Sequence, residues 1–282
     1  MKRRHPDWLK VKLPSVETYA EIKSLITEAN THTVCEEANC PNLGECWSHK
    51  IATIMILGEK CTRACKYCMV KTGKPMATDL EEPKKAAKLV QQLGLQYVVI
   101  TSVTRDDLQD GGSQLFGETI RQVHALTNCE VEVLTPDYIN NNLRNVIQAK
   151  PDVYGHNIET VERLFHPIKP IGNYQKSLNV LKQAKEINPK QITKSGLMIG
   201  LGETLDEIHQ TMRDIHDQGV IFLTIGQYLQ PSPKHAPVKK YYTPDEFDSL
   251  REFGKSLGFS HIESGPLVRS SYRADKLHKY IK

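Results

Sequence analysis

Ile51-Ala-Thr-Ile-Met-Ile-Leu-Gly-Glu-Lys-Cys61-Thr-Arg-Ala-Cys65-Lys-Tyr-Cys68 is the stretch on which the reading of this chain turns. The apolar run from Ile51 to Leu57 predicts a buried strand, so three thiols follow on the loop that leaves it. A tight Cys-x3-Cys-x2-Cys loop can fold three thiolates around one metal centre and leave a fourth metal position open. An open position belongs to chemistry, whereas a closed four-cysteine site belongs to scaffolding. Zinc knuckles draw their ligands as pairs, and no second Cys-x-x-Cys or His-x3-His pair completes this triplet. A disulfide framework fits poorly with an odd count of seven cysteines and no secretory signal.

A second triplet, Cys35, Cys40 and Cys46, lies just upstream of the strand. Downstream, strands and helices alternate. Helices are expected around Pro83–Gly94, Leu115–Leu126, Leu143–Ala149 and Tyr174–Ile187. Strands are expected at Tyr97–Thr101, Cys129–Leu134, Val153–Asn157, Ile192–Ile199 and Ile221–Tyr228. Thr204-Leu-Asp-Glu207 and Thr243-Pro-Asp-Glu246 are capping boxes that open two more helices. Six strands, each followed by a helix, imply an α/β fold with a parallel sheet, and six units favour a partial (β/α)6 barrel over a closed one. Ligands in such sheets sit at the carboxyl ends of the strands, where the Cys61 triplet falls. The expected division is an N-terminal extension over 1–50, the barrel over 51–257 and a non-helical tail over 258–282.

Composition sets limits. A chain of 282 residues with 39% hydrophobic and 25% charged residues is that of an ordinary globular protein with one large core. A net charge of +4 suits an acidic protein partner without calling for nucleic acid. No run approaches the ~18 apolar residues that span a bilayer. Pro6, Asp7 and Lys10 interrupt the basic start, so no export signal is expected and the chain is placed in the cytoplasm. Cys129 reads as a small buried hydrophobe, and His209 and His216 as partly exposed.

With Tyr67 just before its third cysteine, the Cys61 triplet resembles that of radical S-adenosylmethionine enzymes. The upstream Cys35-x4-Cys40-Pro-Asn-Leu-Gly-Glu-Cys46-Trp is similar to the auxiliary-cluster motif of lipoyl synthases. Several further stretches resemble the same family, among them Thr101-Ser-Val-Thr-Arg-Asp-Asp107, Leu134-Thr-Pro-Asp137, His156-Asn-Ile-Glu-Thr160 and Arg269-Ser-Ser-Tyr272. The likeness runs from about Pro6 to the tail. Other radical enzymes fit less well: a tRNA methylthiotransferase would need a nucleic-acid module, and biotin synthase lacks the upstream triplet. A non-enzymatic Fe–S or zinc module is the remaining alternative, separable by metal content.

The resemblance implies a sulfurtransferase that inserts two sulfur atoms, at C6 and C8, into an octanoyl chain held on a lysine of a carrier protein. It implies two 4Fe–4S clusters. Cys61, Cys65 and Cys68 would hold the one that binds and cleaves S-adenosylmethionine, used twice per lipoyl group. Cys35, Cys40, Cys46 and a tail serine would hold the auxiliary cluster that donates sulfur. Ser271 is taken as that serine, with Ser270 as the alternative. Candidate S-adenosylmethionine contacts are Tyr67, Thr101, Ser102, Gly111, Gly112, Asn157, Gly200 and Gly202; plain strand-to-helix turns explain the glycines equally well. Arg105, Asp106 and Arg269 are candidates for substrate contact or support. Implied partners are an octanoylated lipoyl domain (a 2-oxoacid dehydrogenase E2 or the glycine cleavage H protein), a ferredoxin- or flavodoxin-type electron donor and an iron–sulfur cluster carrier. Neither nucleic acid nor membrane is expected.

Overall fold

The structure is a computed structural model that describes residues 6–10, 16–38, 40–48, 51–272, 274–277 and 280. The basic run at residues 1–5, like residues 39, 49 and 50 of the expected N-terminal extension, lies outside the described residues. Eight strands form one sheet in chain order: β1 (His32–Thr33), β2 (Thr53–Ile56), β3 (Tyr97–Ser102), β4 (Glu130–Leu134), β5 (Val153–Gly155), β6 (Ile192–Ile199), β7 (Phe222–Gln227) and β8 (His261–Gly265). β1 runs antiparallel to β2, and every neighbouring pair from β2 to β8 is parallel. Tyr97, Val153 and Phe222, from alternate strands, meet in one apolar cluster, so the sheet curls into a partial barrel whose edge strands do not pair.

The sheet therefore holds seven parallel strands rather than the six expected from the apolar pattern. β8 is His-Ile-Glu-Ser-Gly, whose one large apolar side chain, Ile262, gives almost no period-2 signal. Its pairing with β7 comes from the long α10 (Pro244–Leu257) that delivers it.

Helices α4 (Glu82–Leu93), α5 (Ser113–Leu126), α6 (Asn140–Ile147), α7 (Glu162–Ile168), α8 (Tyr174–Ile187), α9 (Leu205–His216) and α10 follow the strands. Pro83 sits in the first turn of α4, and Gly94 closes it at φ 61°. Both capping boxes form: Thr204 with Glu207 opens α9 and Thr243 with Glu246 opens α10. α7, seven residues long with Pro167 inside it, has no clear periodic signal. Cys129 is buried in the core, and His209 and His216 are half-buried.

The N-terminal extension carries α1 (Val16–Glu28), α2 (Val34–Glu37) and α3 (Leu43–Ser48). Trp47 anchors it, fully buried and stacked on Tyr19 at 5.1 Å. The tail returns to meet this extension. The Asn42 amide donates to the Leu267 carbonyl at 2.5 Å, and the Tyr272 hydroxyl to Glu45 at 3.1 Å. Farther on, Ala274 and Leu277 pack against Tyr97 and Phe222 inside the barrel. Also on the inner face, Lys194 donates to both oxygens of Glu132 at 2.8 Å, and Tyr97 Oη donates to the same carboxylate at 2.6 Å.

Candidate active site

The strand ends open into a cavity of about 550 Å³, and it gathers residues from every part of the chain. Cys35 and Cys40 come from the N-terminal extension and Cys61, Cys65 and Cys68 from the loop after β2. Thr101 and Ser102 end β3, Asn157 follows β5, Gly196 lies in β6, and Arg269, Ser270 and Ser271 belong to the tail. Residues more than 200 positions apart thus share one enclosed space.

Local structure explains each placement. Thr33 caps α2 by accepting from Glu36 N–H, which sets Cys35 in the first turn. Cys40 N–H donates to the Cys35 carbonyl, and Cys46 N–H to that of Asn42, so the first triplet is wound on two short helical turns. Cys46 itself stands outside the cavity lining. Leu57 and Gly58 turn the chain out of β2 at φ 69° and 89°. The Glu82 carboxylate accepts both of their N–H groups and Arg105 donates to the Leu57 carbonyl. Beyond that turn, Cys61 Sγ accepts backbone N–H bonds from Arg63 and Thr104, each at 3.4 Å. The loop is pinned again where Ala236 N–H donates to the Lys66 carbonyl and the His235 ring meets the Cys68 carbonyl at 3.0 Å.

All seven cysteines are outside disulfides. Burial pushes the Cys68 thiol up to about 12 and the Cys35 thiol to about 11, and it raises Cys40 and Cys65 as well. The protein alone therefore holds neutral thiols here, and the positive charge of bound iron is what turns such groups into thiolates. Among the described residues, no three His, Cys, Asp or Glu side chains converge as ligands of a single ion. A cubane spreads its thiolates over separate iron corners, wider apart than around one ion. Five thiols lining one cavity, with backbone N–H groups already aimed at Cys61 sulfur, suit such groups.

The remaining sequence candidates divide. Tyr67, Thr101, Ser102 and Asn157 line the cavity. Thr101 donates to the Leu134 carbonyl at 2.8 Å, while the Ser102 hydroxyl is buried beside the Tyr138 hydroxyl. Gly111, Gly112, Gly200 and Gly202 stand outside the lining, all at positive φ in the turns that lead into α5 and α9. A Cβ at Gly112 would run into the Leu57 side chain, so packing accounts for that glycine. Arg105 is 3% exposed and spends its donors on Asp107 and on the Leu57 and Met76 carbonyls. Asp106 accepts from Arg63 and Thr62. Neither lines the cavity.

Four charged lining residues escaped the sequence reading: Arg63, Asp137, Glu159 and Lys169. Burial opposes ionisation of Asp137, but His156, Lys169 and Arg63 together hold its carboxyl well below the usual range. Enclosure pushes the Glu159 carboxyl up, against the opposing pull of Lys169 and a hydrogen bond with Asn157. Glu159 also has φ 74°, held there by backbone bonds to Gly196 and Met198 on β6. Strain of that kind in a non-glycine residue gathers at functional sites. Three of the four sat in quoted stretches, Ile51–Cys68, Leu134–Asp137 and His156–Thr160, but charged residues in loops beside strand ends carry no periodic signal.

Residues 55–215 match the model of the Radical SAM superfamily, and residues 1–40 match the N-terminal domain of lipoyl synthase of the Radical SAM family. A lipoyl synthase of Halalkalibacterium halodurans is 54% identical over 277 residues, covering 97% of this chain and 91% of that one. One from Rubrobacter xylanophilus is 52% identical over 272 residues, covering 95% and 85%. Among solved structures, methylornithine synthase superposes with a TM-score of 0.59 at 13% identity, covering 89% of this chain and 79% of that one. The FeFe-hydrogenase maturase HydG from Carboxydothermus hydrogenoformans also gives 0.59, at 15% identity over 94% and 77%. At such identities these two structures speak for the fold alone.

Proposed function

The chain belongs to the lipoyl synthase family of radical S-adenosylmethionine enzymes, and on that premise we propose which of its residues do the work. The family's reaction inserts sulfur into a protein-bound octanoyl chain, with 4Fe–4S clusters and S-adenosylmethionine as cofactors. We assign Cys61, Cys65 and Cys68 to the cluster that binds S-adenosylmethionine, and Cys35, Cys40, Cys46 and Ser271 to the auxiliary cluster. When bound, these groups supply the electron that cleaves a sulfonium, the radical that takes hydrogen from an unactivated carbon, and the sulfur that replaces it.

The protein's share is to bind, orient and exclude. Asn157 and Glu159 offer an amide and a carboxylate side by side, suited to the hydroxyls of a ribose. Lys169, on the same wall, offers an ammonium to a carboxylate, and the Ser102 hydroxyl, buried beside Tyr138, keeps hydrogen-bonding capacity for a ligand. Met55, Val103, Leu197 and Met198 supply apolar walls for an alkyl chain. No side chain has to remove a proton from that chain, since an alkyl C–H is not acidic; what the walls must do is keep water and stray hydrogen donors away. Arg269 sits close enough to Cys40 to favour its thiolate, although burial lowers the guanidinium's own pKa.

We assign residues 1–50 and the tail segment around Ser271 to the auxiliary site; the barrel begins near 51 and extends past the expected boundary at 257, because β8 adds a strand to its sheet. The partners we infer are a lipoyl domain of a 2-oxoacid dehydrogenase E2 or the glycine cleavage H protein, a ferredoxin- or flavodoxin-type donor and a cluster carrier, all in the cytoplasm. No helix among the described residues is long and apolar enough to cross a membrane.

The observation that carries this reading is that one cavity is lined by cysteines of both triplets together with Ser270 and Ser271. The test is anaerobic reconstitution, then incubation with an octanoylated carrier domain, S-adenosylmethionine and reductant. Two 4Fe–4S clusters mean about eight irons per chain, and the carrier should gain the mass of two sulfur atoms, less two hydrogens once the dithiolane ring is closed. Stoichiometric zinc in place of iron, or a carrier of unchanged mass, would overturn it.

A further inference from the structure

Arg63 stands between Cys61 and Cys65, and it joins the cysteine loop to the loops that follow β3 and β4 at once. Its Nε and Nη2 donate to the two oxygens of Asp106 at 2.9 and 2.8 Å, a forked pair, while Nη1 donates to Asp137. Asp106 lies in the loop after β3 and Asp137 in the loop after β4. The Arg63 side chain is 11% exposed and that of Asp137 3%. Asp137 is in turn fixed by the Ser177 hydroxyl at 2.9 Å, with Lys169 Nζ at 3.5 Å. The backbone adds to the joint: Thr62 N–H donates to the Thr104 carbonyl, and the Thr62 hydroxyl to Asp106 at 2.8 Å.

We propose that Arg63, Asp106 and Asp137 form a clamp that positions the cysteine loop against the ligand-binding wall of the cavity. This rests on the assignment of Cys61, Cys65 and Cys68 given above. Three thiolates on a loose loop are enough to hold a cluster. They are not enough to aim its open iron at a ligand seated on Thr101, Ser102 and Asn157. The clamp takes its bearings from the ends of β3 and β4, which carry part of that wall, so loop and wall share one frame. A planar guanidinium can reach two carboxylates in fixed directions, which a lysine ammonium on a flexible stem does not reproduce. Outer-shell groups of this kind are worth roughly 10–100-fold in affinity or activity at metal sites.

The test uses full-length reconstituted protein carrying Arg63→Gln, Arg63→Lys or Asp106→Asn. Iron content, thermal unfolding and a titration of the reduced cluster's paramagnetic spectrum with S-adenosylmethionine are compared with the parent. Hydrogen exchange over residues 60–70 is followed in the cluster-free protein. The expected result for Arg63→Gln is near-parental iron and fold, with the S-adenosylmethionine concentration for half the spectral change raised roughly 10–100-fold. Exchange of the loop should quicken, and Arg63→Lys and Asp106→Asn should fall between. Parental titration and exchange in Arg63→Gln would overturn the clamp. So would full rescue by Arg63→Lys, which would leave charge alone as the cause, or a response lost only in proportion to iron or fold. If the parent protein itself shows no spectral response, the cysteine assignment fails instead, and the exchange arm alone then decides the clamp.

Discussion

At Gly196 a single methyl group separates an open site from a blocked one. A Cβ there would lie 2.8 Å from both Asn157 Oδ1 and Thr224 Oγ1, so alanine must push both aside. Gly196→Ala should cost about 1–3 kcal/mol of stability and weaken S-adenosylmethionine binding by displacing Asn157, as calorimetric titration of the reconstituted protein would show. Ser271 poses the reverse question, since it lines the cavity beside Ser270 and its bland reading is an exposed turn. Ser271→Ala should keep nearly normal iron, because three thiolates remain, yet change the auxiliary-cluster spectrum and abolish most lipoyl product. Ser271→Cys should bind the cluster well and turn over poorly, a thiolate being the softer match to iron. An unchanged product rate in Ser271→Ala would return the tail to a surface turn.

Among elements, the ones written in local chemistry were legible and the ones held by neighbours were not. The α9 capping box is a case of the first kind. Thr204 accepts from Glu207 N–H, while Glu207 accepts from Thr204 N–H at 2.8 Å and from Arg163 at 2.6 Å. Thr204→Ala should lower stability by about 1 kcal/mol, measured by denaturant unfolding. The Arg163 hydrogen bond, followed by the Thr204 N–H, holds the Glu207 carboxyl at about 2, below its ordinary 4.5. A lowered folded pKa means that its stabilisation is complete above 4.5 and is lost as the pH falls from there through about 2. Glu207→Gln should therefore lower stability modestly at neutral pH and flatten the acid limb of the curve in that window, so that variant and parent converge at low pH. β8 is of the second kind: with one large apolar side chain it becomes a strand because β7 offers an open edge.

For the whole molecule, the two triplets should separate by function although they share one cavity. Alanine at Cys61, Cys65 or Cys68 should abolish 5′-deoxyadenosine formation while the auxiliary cluster remains. Alanine at Cys35, Cys40 or Cys46 should leave reductive cleavage but no sulfur insertion, and a dithiolated product from such a variant would place the sulfur source elsewhere. The barrel interior carries its own test. Lys194 and Glu132, 4% and 2% exposed, leave an uncompensated charge if either is removed. Lys194→Met should cost about 3–5 kcal/mol, and pairing it with Glu132→Leu should recover much of the loss. Thermal unfolding of the single and double variants measures the difference.

The parallel α/β architecture is legible in the chain alone, because apolar runs, capping boxes and breakers act over a few residues and leave their mark in spacing. The sequence also marked the cysteines, since thiols at tight spacing need no partner to be noticed, while Tyr67 came from the family resemblance and Thr101, Ser102 and Asn157 from their places at strand ends. Tertiary structure decided what a carboxylate or a guanidinium is for. Asp137, Glu159 and Lys169 are ordinary charges in the chain, and only the curl of the sheet turns them inward, where a low dielectric makes each one consequential. The same curl took Gly111, Gly112, Gly200 and Gly202 out of the cavity and left them as turns. It also brought Ser271 within one enclosed space of Cys35 and Cys40. Contacts spanning more than 200 residues, such as Asn42 with Leu267, depend on where the barrel returns the tail, and no local pattern encodes that.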